Sequence, residues 1–348
     1  MNHIALQDET VKEKLFPFTL TRSAADIRTG ILTIREKWER IFQKNPLYLQ
    51  AADGEQKLAI NANIIPSEKY AGLLFSDKNN SGSVPYESVR VLEHPWHIFE
   101  FNDWAIREDF TLITSGRTSQ PVSSSNKLTA PENVFLEEGA QVEHCILNAS
   151  AGPVYIGKNA LVMEGAMIRG PVAICEGAVV KMGTAIYGAT TIGPNCTVGG
   201  EIKNAVLFGN SNKAHHGYLG DSVIGEWCNL GAGTSNSNMK NTAREVKVWN
   251  MARKQFDIAG TKCGLLMGDY SRCAINTSFN TGTVVGVCAN IFGSGDLTPK
   301  YIPNFSWGLE AKYKFEKAIE EIRAWMKMKN KLPSEEQVKA LHHIFEHY

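Results

Sequence analysis

From about residue 132 onward the apolar positions of the chain repeat every six residues. Ile156, Val162, Ile168, Ile174, Val180, Ile186, Ile192 and Val198 keep that spacing without a slip. Two residues before each stands a small or modest side chain: Val154, Ala160, Ala166, Val172, Ala178, Thr184, Thr190 and Cys196. A period of six fits neither the 3.6 residues of a helix nor simple strand alternation. It suits short strands joined by tight corners in a triangular coil of three hexads. The aliphatic residue then points into the prism, and glycines such as Gly157, Gly193 and Gly199 relieve the backbone where it turns. The period resumes at Ile224 and Leu230, and again at Met267, Cys273, Phe279, Val285 and Ile291. The pattern predicts a parallel β-helix over residues 132–300 with two outward excursions, at 203–222 and 235–256, where polar and aromatic residues concentrate.

Residues 1–113 lack the repeat and read as an α/β region. Ile31, Ile34, Trp38 and Ile41 have helical spacing, with Glu36 and Arg40 as an i,i+4 pair on the other face. PLYLQA at 46–51 and KLAINANII at 57–65 read as strands, and the polar stretch 76–88 as a loop. Residues 114–131, rich in Ser and Thr, form the expected linker. In the segment 301–348, Phe315, Ile319, Ile322 and Met326 mark one helix, and Ser334 with Gln337 starts a second that carries Val338, Leu341 and Phe345. These helices are expected to cover the open end of the coil.

Charge narrows the function. Lys plus Arg and Asp plus Glu are balanced at 36 each in 348 residues, so no global field would gather nucleic acid or an anionic membrane. No apolar run long enough to span a bilayer occurs, and the N-terminus has no signal-peptide pattern, so a cytoplasmic location is expected. The seven cysteines include no C-x-x-C pair and read as buried free thiols. His94 and His97 lack a third ligand, and no metal site is expected from them. Trp227 is expected to serve subunit packing.

The candidate chemistry lies between 201 and 238, where Glu201, Lys203, Lys213, His215, His216, Tyr218, Asn229, Asn236 and Asn238 gather. A carboxylate beside a histidine can fix its tautomer and suit it to take a proton from an amine or hydroxyl. Lysines offer charge to a phosphate, and amide or backbone N–H groups can hold an oxyanion. The elements KAH at 213–215, YLGD at 218–221, IG at 224–225 and NLGAGT at 229–234 resemble the acetyltransferase domain of the bacterial bifunctional N-acetylglucosamine-1-phosphate uridyltransferase/glucosamine-1-phosphate acetyltransferase family. That resemblance implies a left-handed β-helix, a homotrimer, and acetyl-CoA bound between subunits. It implies His215 as general base oriented by Glu201. It also implies Lys203, Tyr218, Asn229 and Asn238 as substrate contacts, and Arg244 in place of a phosphate-binding lysine. Backbone N–H groups near Gly231 to Gly233, with Asn238, would hold the oxyanion. An arginine of the family corresponds to Ile174, which Arg169 or Lys181 would have to replace.

The N-terminal block FPFTLTRSAADIRTGILTIREKWE at 16–39 is similar to that of divergent bacterial sugar nucleotidyltransferases, which implies a reduced nucleotidyltransferase-like domain. No glycine-rich phosphate loop of the G-x-G-T-R-M type is present. Arg22, Asp26 and Arg28 are the candidates there for a sugar phosphate or metal-bound nucleotide; the alternative is an ion-pair network holding a helix to its surroundings. The expected activity is N-acetylation of a sugar phosphate resembling glucosamine 1-phosphate. The alternatives are sugar-1-phosphate nucleotidylyl transfer, with Mg²⁺, and a non-catalytic sugar-nucleotide sensor or scaffold.

Overall fold

A computed structural model describes residues 4–9, 11–46, 48, 58–76, 86–293 and 295–348. Most of PLYLQA and of the loop 76–88 lies outside them. The chain forms a left-handed parallel β-helix with an α/β region before it and helices after it. Parallel pairing runs coil by coil from Lys127–Thr129 to Ser306–Trp307. It passes the limits 132 and 300 because the terminal coils keep the pairing after losing the small-plus-aliphatic signature. Each coil contributes one strand to each of three faces. Face one carries Ile146–Asn148, Met167–Arg169 and Ala185–Tyr187. Face two carries Val154–Ile156, Val172–Ile174 and Thr190–Ile192. Face three carries Leu161–Val162, Val179–Val180 and Thr197–Val198.

The hexad aliphatics fill the prism, and none of the eight from Ile156 to Val198 is more than 2% exposed. At about 1.5–3 kcal/mol for each buried aliphatic side chain, this column is the main source of the coil's stability. The glycines have a different role from the one expected. A Cβ on Gly193 would lie 1.8 Å from the carbonyl oxygen of Phe208, and one on Gly157 would lie 2.6 Å from the Glu176 nitrogen. They allow the next coil to stack closely, while asparagines such as Asn159 and Asn195 take the left-handed conformation at the corner between faces two and three.

The stretch 203–222 is coil rather than excursion. Strands Glu201–Leu207 and Tyr218–Ile224 each run through a corner into the next face, so the inward residues Ile202 and Leu207 are separated by five positions instead of six. The corner tightens at Asn204 and Asp221, whose φ values are 48° and 45°. The excursion that does leave the coil lies between Asn236 and Leu265 and contains the antiparallel pair Lys247–Asn250 and Gln255–Ile258.

The N-terminal region lies on face two. Helix α1, Ile34–Lys44, starts with a capping box between Thr33 and Glu36, and helices α2, Glu68–Ser76, α3, His97–Glu100, and α4, Asn102–Thr114, follow. Their core continues into the solenoid through Val206, Phe208, Val223, Leu266 and Val284. Lys37 and Asp109, both almost fully buried, form an ion pair between α1 and α4, and Asp109 also accepts the N–H groups of Ile31 and Leu32.

Beyond α4 the expected linker closes the first coil. Gln120 donates from its backbone to Leu136 and from its side chain to Ala140, Asn126 donates to Val142, and Val122 packs on the prism core. At the other end, helices α5, Phe315–Lys327, and α6, Glu335–His347, flank the solenoid instead of closing its end. They pack on Trp227, Tyr270, Cys288 and Phe305, and Lys329 reaches back to the Asn195 carbonyl. These four residues occupy the left-handed corner position that Asn159, Asn195 and Asn210 hold in earlier coils, all with φ between 54° and 60°. The substitution of polar corners by aromatic residues and a cysteine gives the helices an apolar edge, and Trp227 is buried under the chain's own helices. All seven cysteines are buried and free. Among the described residues no helix is long and apolar enough to cross a membrane.

Candidate functional site

Strand register assembles the site on face one. Glu201 stands opposite Ala185 in the preceding coil and Tyr218 in the next, and Lys203 stands between Tyr187 and Gly220. Outward-pointing Tyr187, Glu201, Lys203 and Tyr218 therefore share one surface. The Tyr187 hydroxyl donates to the Glu201 carboxylate, and the Lys203 ammonium lies 5.7 Å from the Tyr187 ring centre. Arg169 is exposed one coil earlier on this face, whereas Ile174 points into the core with no exposure.

Tyr218 lies across Gly220, where a Cβ would strike its hydroxyl, so the ring reaches the corner between faces one and two. There Asn238, entering from the excursion, donates to the Tyr218 hydroxyl at 3.1 Å and also to the Asp221 carboxylate. Asn204 donates to the other Asp221 oxygen at 2.7 Å. Burial, with Asp221 nearby, pushes the Tyr218 phenol well above its ordinary value, so it stays a hydrogen-bond donor.

His215 and His216 are exposed at the corner between faces three and one. Among the described residues the His215 ring makes no hydrogen bond, and Glu201 bonds to Tyr187 rather than to His215. Asn229 lies on face three, between Asn212 and Arg272, and Arg244 is exposed on the excursion without an ion pair among the described residues. The N–H groups of Gly231 and Gly233 are already bonded to Cys273 and His216. The expected oxyanion site is thus reduced to the intervening Ala232 N–H, and the Asn238 amide is occupied within the chain.

Residues 4–82 and 71–118 match the sequence model of the sugar nucleotidyl transferase family. Over 213 residues the chain is 29% identical to the bifunctional sugar-1-phosphate nucleotidylyltransferase/acetyltransferase of Sulfurisphaera tokodaii, a match covering 59% of this chain and 47% of that protein. The bifunctional protein GlmU of Methanococcus maripaludis is 28% identical over 193 residues, covering 56% and 40%. The chain is similar to these bifunctional proteins over the matched stretch. It spans about half their length or less. Among solved structures, UDP-N-acetylglucosamine acyltransferase of Francisella novicida aligns over 65% of this chain and 86% of its own, with a TM-score of 0.36 and 14% identity.

The N-terminal candidates Arg22, Asp26 and Arg28 all have partners inside the chain. Arg22 is paired with Asp269 and lies 3.4 Å from Glu226, both in the solenoid, and it stacks on Phe208. Burial alone would lower its pKa, but Asp269 and Glu226 outweigh that and hold it above its ordinary value. Asp269 also accepts the Thr21 hydroxyl and the Glu226 N–H. Arg28 bonds to the Ile31 carbonyl and to Glu36, and Asp26 is held by Arg35.

Three side chains near the site were not singled out from sequence. Asn204 and Asp221 occupy the same corner in successive coils, 17 residues apart; their tolerance of positive φ was the available signal, hidden by the loss of the period. The third is Glu100, at the end of α3, which packs on strands Glu201–Leu207 and Tyr218–Ile224. The residue is exposed overall, but partial desolvation of its carboxyl, with Asp221 beside it, pushes that group up to about 7. Nothing in its local sequence distinguishes it from a surface glutamate.

Proposed function

We propose that the chain is a transferase of sugar-nucleotide biosynthesis that N-acetylates a sugar phosphate with acetyl-CoA. The observation that carries this reading is the exposed, uncommitted His215 ring on a corner adjoining the face that bears Lys203 and Tyr218. Those residue types, in that order and register, suit an amino-sugar phosphate. Lys203, with Arg169 or Arg244, supplies charge for the phosphate, and Tyr218 supplies a neutral donor. His215 takes the proton from the sugar amine as its nitrogen attacks the thioester carbonyl. CoA leaves as the thiol and the acetyl group is retained on nitrogen.

A homotrimer completes the proposal. Ile146 and Met167 on face one are 46% and 49% exposed, and Met182 and Ile275 on the adjoining corner are 70% and 68% exposed. A second copy of the chain is the occupant that would cover this apolar strip and bring its own side chains to His215, supplying the orienting partner that Glu201 does not provide within one chain. Seven free thiols favour a cytoplasmic setting.

The match of residues 4–118 to the sugar nucleotidyl transferase family favours nucleotidylyl transfer as the second reading. It would need Mg²⁺, and the described N-terminal residues do not fit one, because Asp26 and Asp109 are held by Arg35 and Lys37. Purified protein should release thiol from acetyl-CoA with amino-sugar 1-phosphates. Pyrophosphate release from nucleoside triphosphates without thiol release would move the chemistry to the N-terminal domain. Ligand binding with silence in both assays would favour a sensor or scaffold.

A further inference from the structure

The prism interior is an aliphatic column with a conspicuous break beneath the candidate base. On face three the inward positions run Val162, Val180, Val198, Lys213, Leu230, Cys273 and Ile291, as the register Val198 to Lys213 shows. Lys213 is 1% exposed. A leucine or valine would fill that position at no electrostatic cost, whereas an ammonium withdrawn from water costs several kcal/mol unless hydrogen bonds replace its hydration. Those bonds are present, since Nζ donates to the carbonyl oxygen of Gly199 at 3.1 Å and to that of His215 at 2.6 Å. Both acceptors lie at the corner between faces three and one, one in the preceding coil and one in the segment that carries His215.

We propose that Lys213 is a positioning residue for His215: from inside the prism its ammonium ties the His215 carbonyl to the preceding coil and fixes the corner that presents the ring. This deepens the acetyltransferase reading and rests on it for its effect on rate. The chain otherwise leaves the ring without a hydrogen bond among the described residues, so backbone anchoring is the restraint available within one chain. Two strands along the column from the ammonium is the Cys273 thiol, which Thr234 contacts at 3.4 Å; His215 and His216 are the titratable groups on its own segment. Burial pushes the Lys213 amine down to about 8, so the charge-assisted bonds weaken within an accessible pH range.

Lys213→Met, close in length and apolar, suits the interior. It should lower kcat for acetyl transfer by about 10- to 100-fold, the scale of a misplaced catalytic group, while KM for both substrates changes less than about twofold. Wild-type kcat in a folded, assembled variant would overturn the proposal. The second measurement needs no activity: histidine ring signals of ¹³C-labelled wild-type protein, followed across pH, with His215 assigned by its loss in His215→Gln. The His215 signal should move with a midpoint near the about 8 of Lys213. No movement there would overturn the proposal even if Lys213→Met failed to fold. Inactive wild-type protein showing that movement would instead sink the acetyltransferase reading and leave the coupling standing.

Discussion

The chain has two clusters of charged and polar side chains that look alike as sequence and differ in what their charges face. In the N-terminal block, Arg22, Arg28 and Arg35 each meet a carboxylate, and Arg22 reaches across the domain boundary to Asp269, which is 2% exposed. On the solenoid, His215 and Arg244 face solvent, and Lys203 has an aromatic ring for a neighbour rather than an acid. Arg22, neutralised against the buried Asp269, has little left to offer an anionic ligand, since releasing it would strand that carboxylate. A side chain left uncommitted can spend its interactions on a substrate. The difference separates a structural lock from a candidate site.

His215→Ala tests the uncommitted side with the largest effect. Acetyl transfer should fall by about 10²- to 10⁴-fold, the range for removing a general base, while the melting temperature holds, because an exposed ring without partners contributes little to stability. Full activity in the variant would remove His215 from the site. Arg22→Ala tests the committed side in the opposite sense. It leaves Asp269 buried with only the Thr21 hydroxyl and the Glu226 N–H, and should destabilise the protein by about 3–5 kcal/mol, measured by chemical denaturation, with KM for sugar phosphate unchanged at permissive temperature. Unchanged stability with a raised KM would make Arg22 a ligand residue and erase the contrast.

The period of six made the inner columns legible because each aliphatic residue has one place to go. It could not show which corners the rest of the chain covers. That depends on contacts between distant segments, such as α5 against Trp227 and Tyr270, where the same backbone position holds asparagine in other coils. The four-residue step from Val198 to Ile202 and the five-residue step from there to Leu207 broke the count and made a continuous coil look like an excursion. Within the candidate site, residue types at motif spacing were readable, and register places Glu201, Lys203 and Tyr218 on one surface. Partner choice was not readable: Glu201 with Tyr187, and Arg22 with Asp269 nearly 250 residues away, are consequences of tertiary packing. Lys213 read as a point charge for phosphate, although its place in the inward column follows from counting six on from Leu207 only once the shortened coil is known.

A smaller effect sharpens the contrast on face one. Lys203→Ala should raise KM for the sugar phosphate roughly tenfold, about 1.4 kcal/mol, as expected for one hydrogen bond to a charged group. Stability should be unaltered, because Tyr187 keeps its bond to Glu201. A loss of stability without a change in KM would place Lys203 with the structural charges.

Glu100 belongs to neither side of the comparison, which makes it the finest test. It comes from the N-terminal domain yet lies by the solenoid site, and it faces a carboxylate, Asp221, instead of a cation. In the folded protein its carboxyl keeps its proton to about 7, against an ordinary value of 4.5. The folded state therefore binds more protons than the unfolded state between those limits, and stability falls as pH rises through that window. Glu100→Gln removes the titration. Its melting temperature should equal that of wild type at pH 4, exceed it increasingly from pH 5 to 7, and stay above it at pH 8. The gain should be no more than about 1 kcal/mol, because solvent at the carboxyl screens the repulsion from Asp221. A variant destabilised equally at every pH would mean that Glu100 makes a favourable contact through either protonation state, and would join it to the locked charges. A gain confined to high pH would instead identify a like-charge contact retained at the edge of the site, where a bound ammonium group would relieve it.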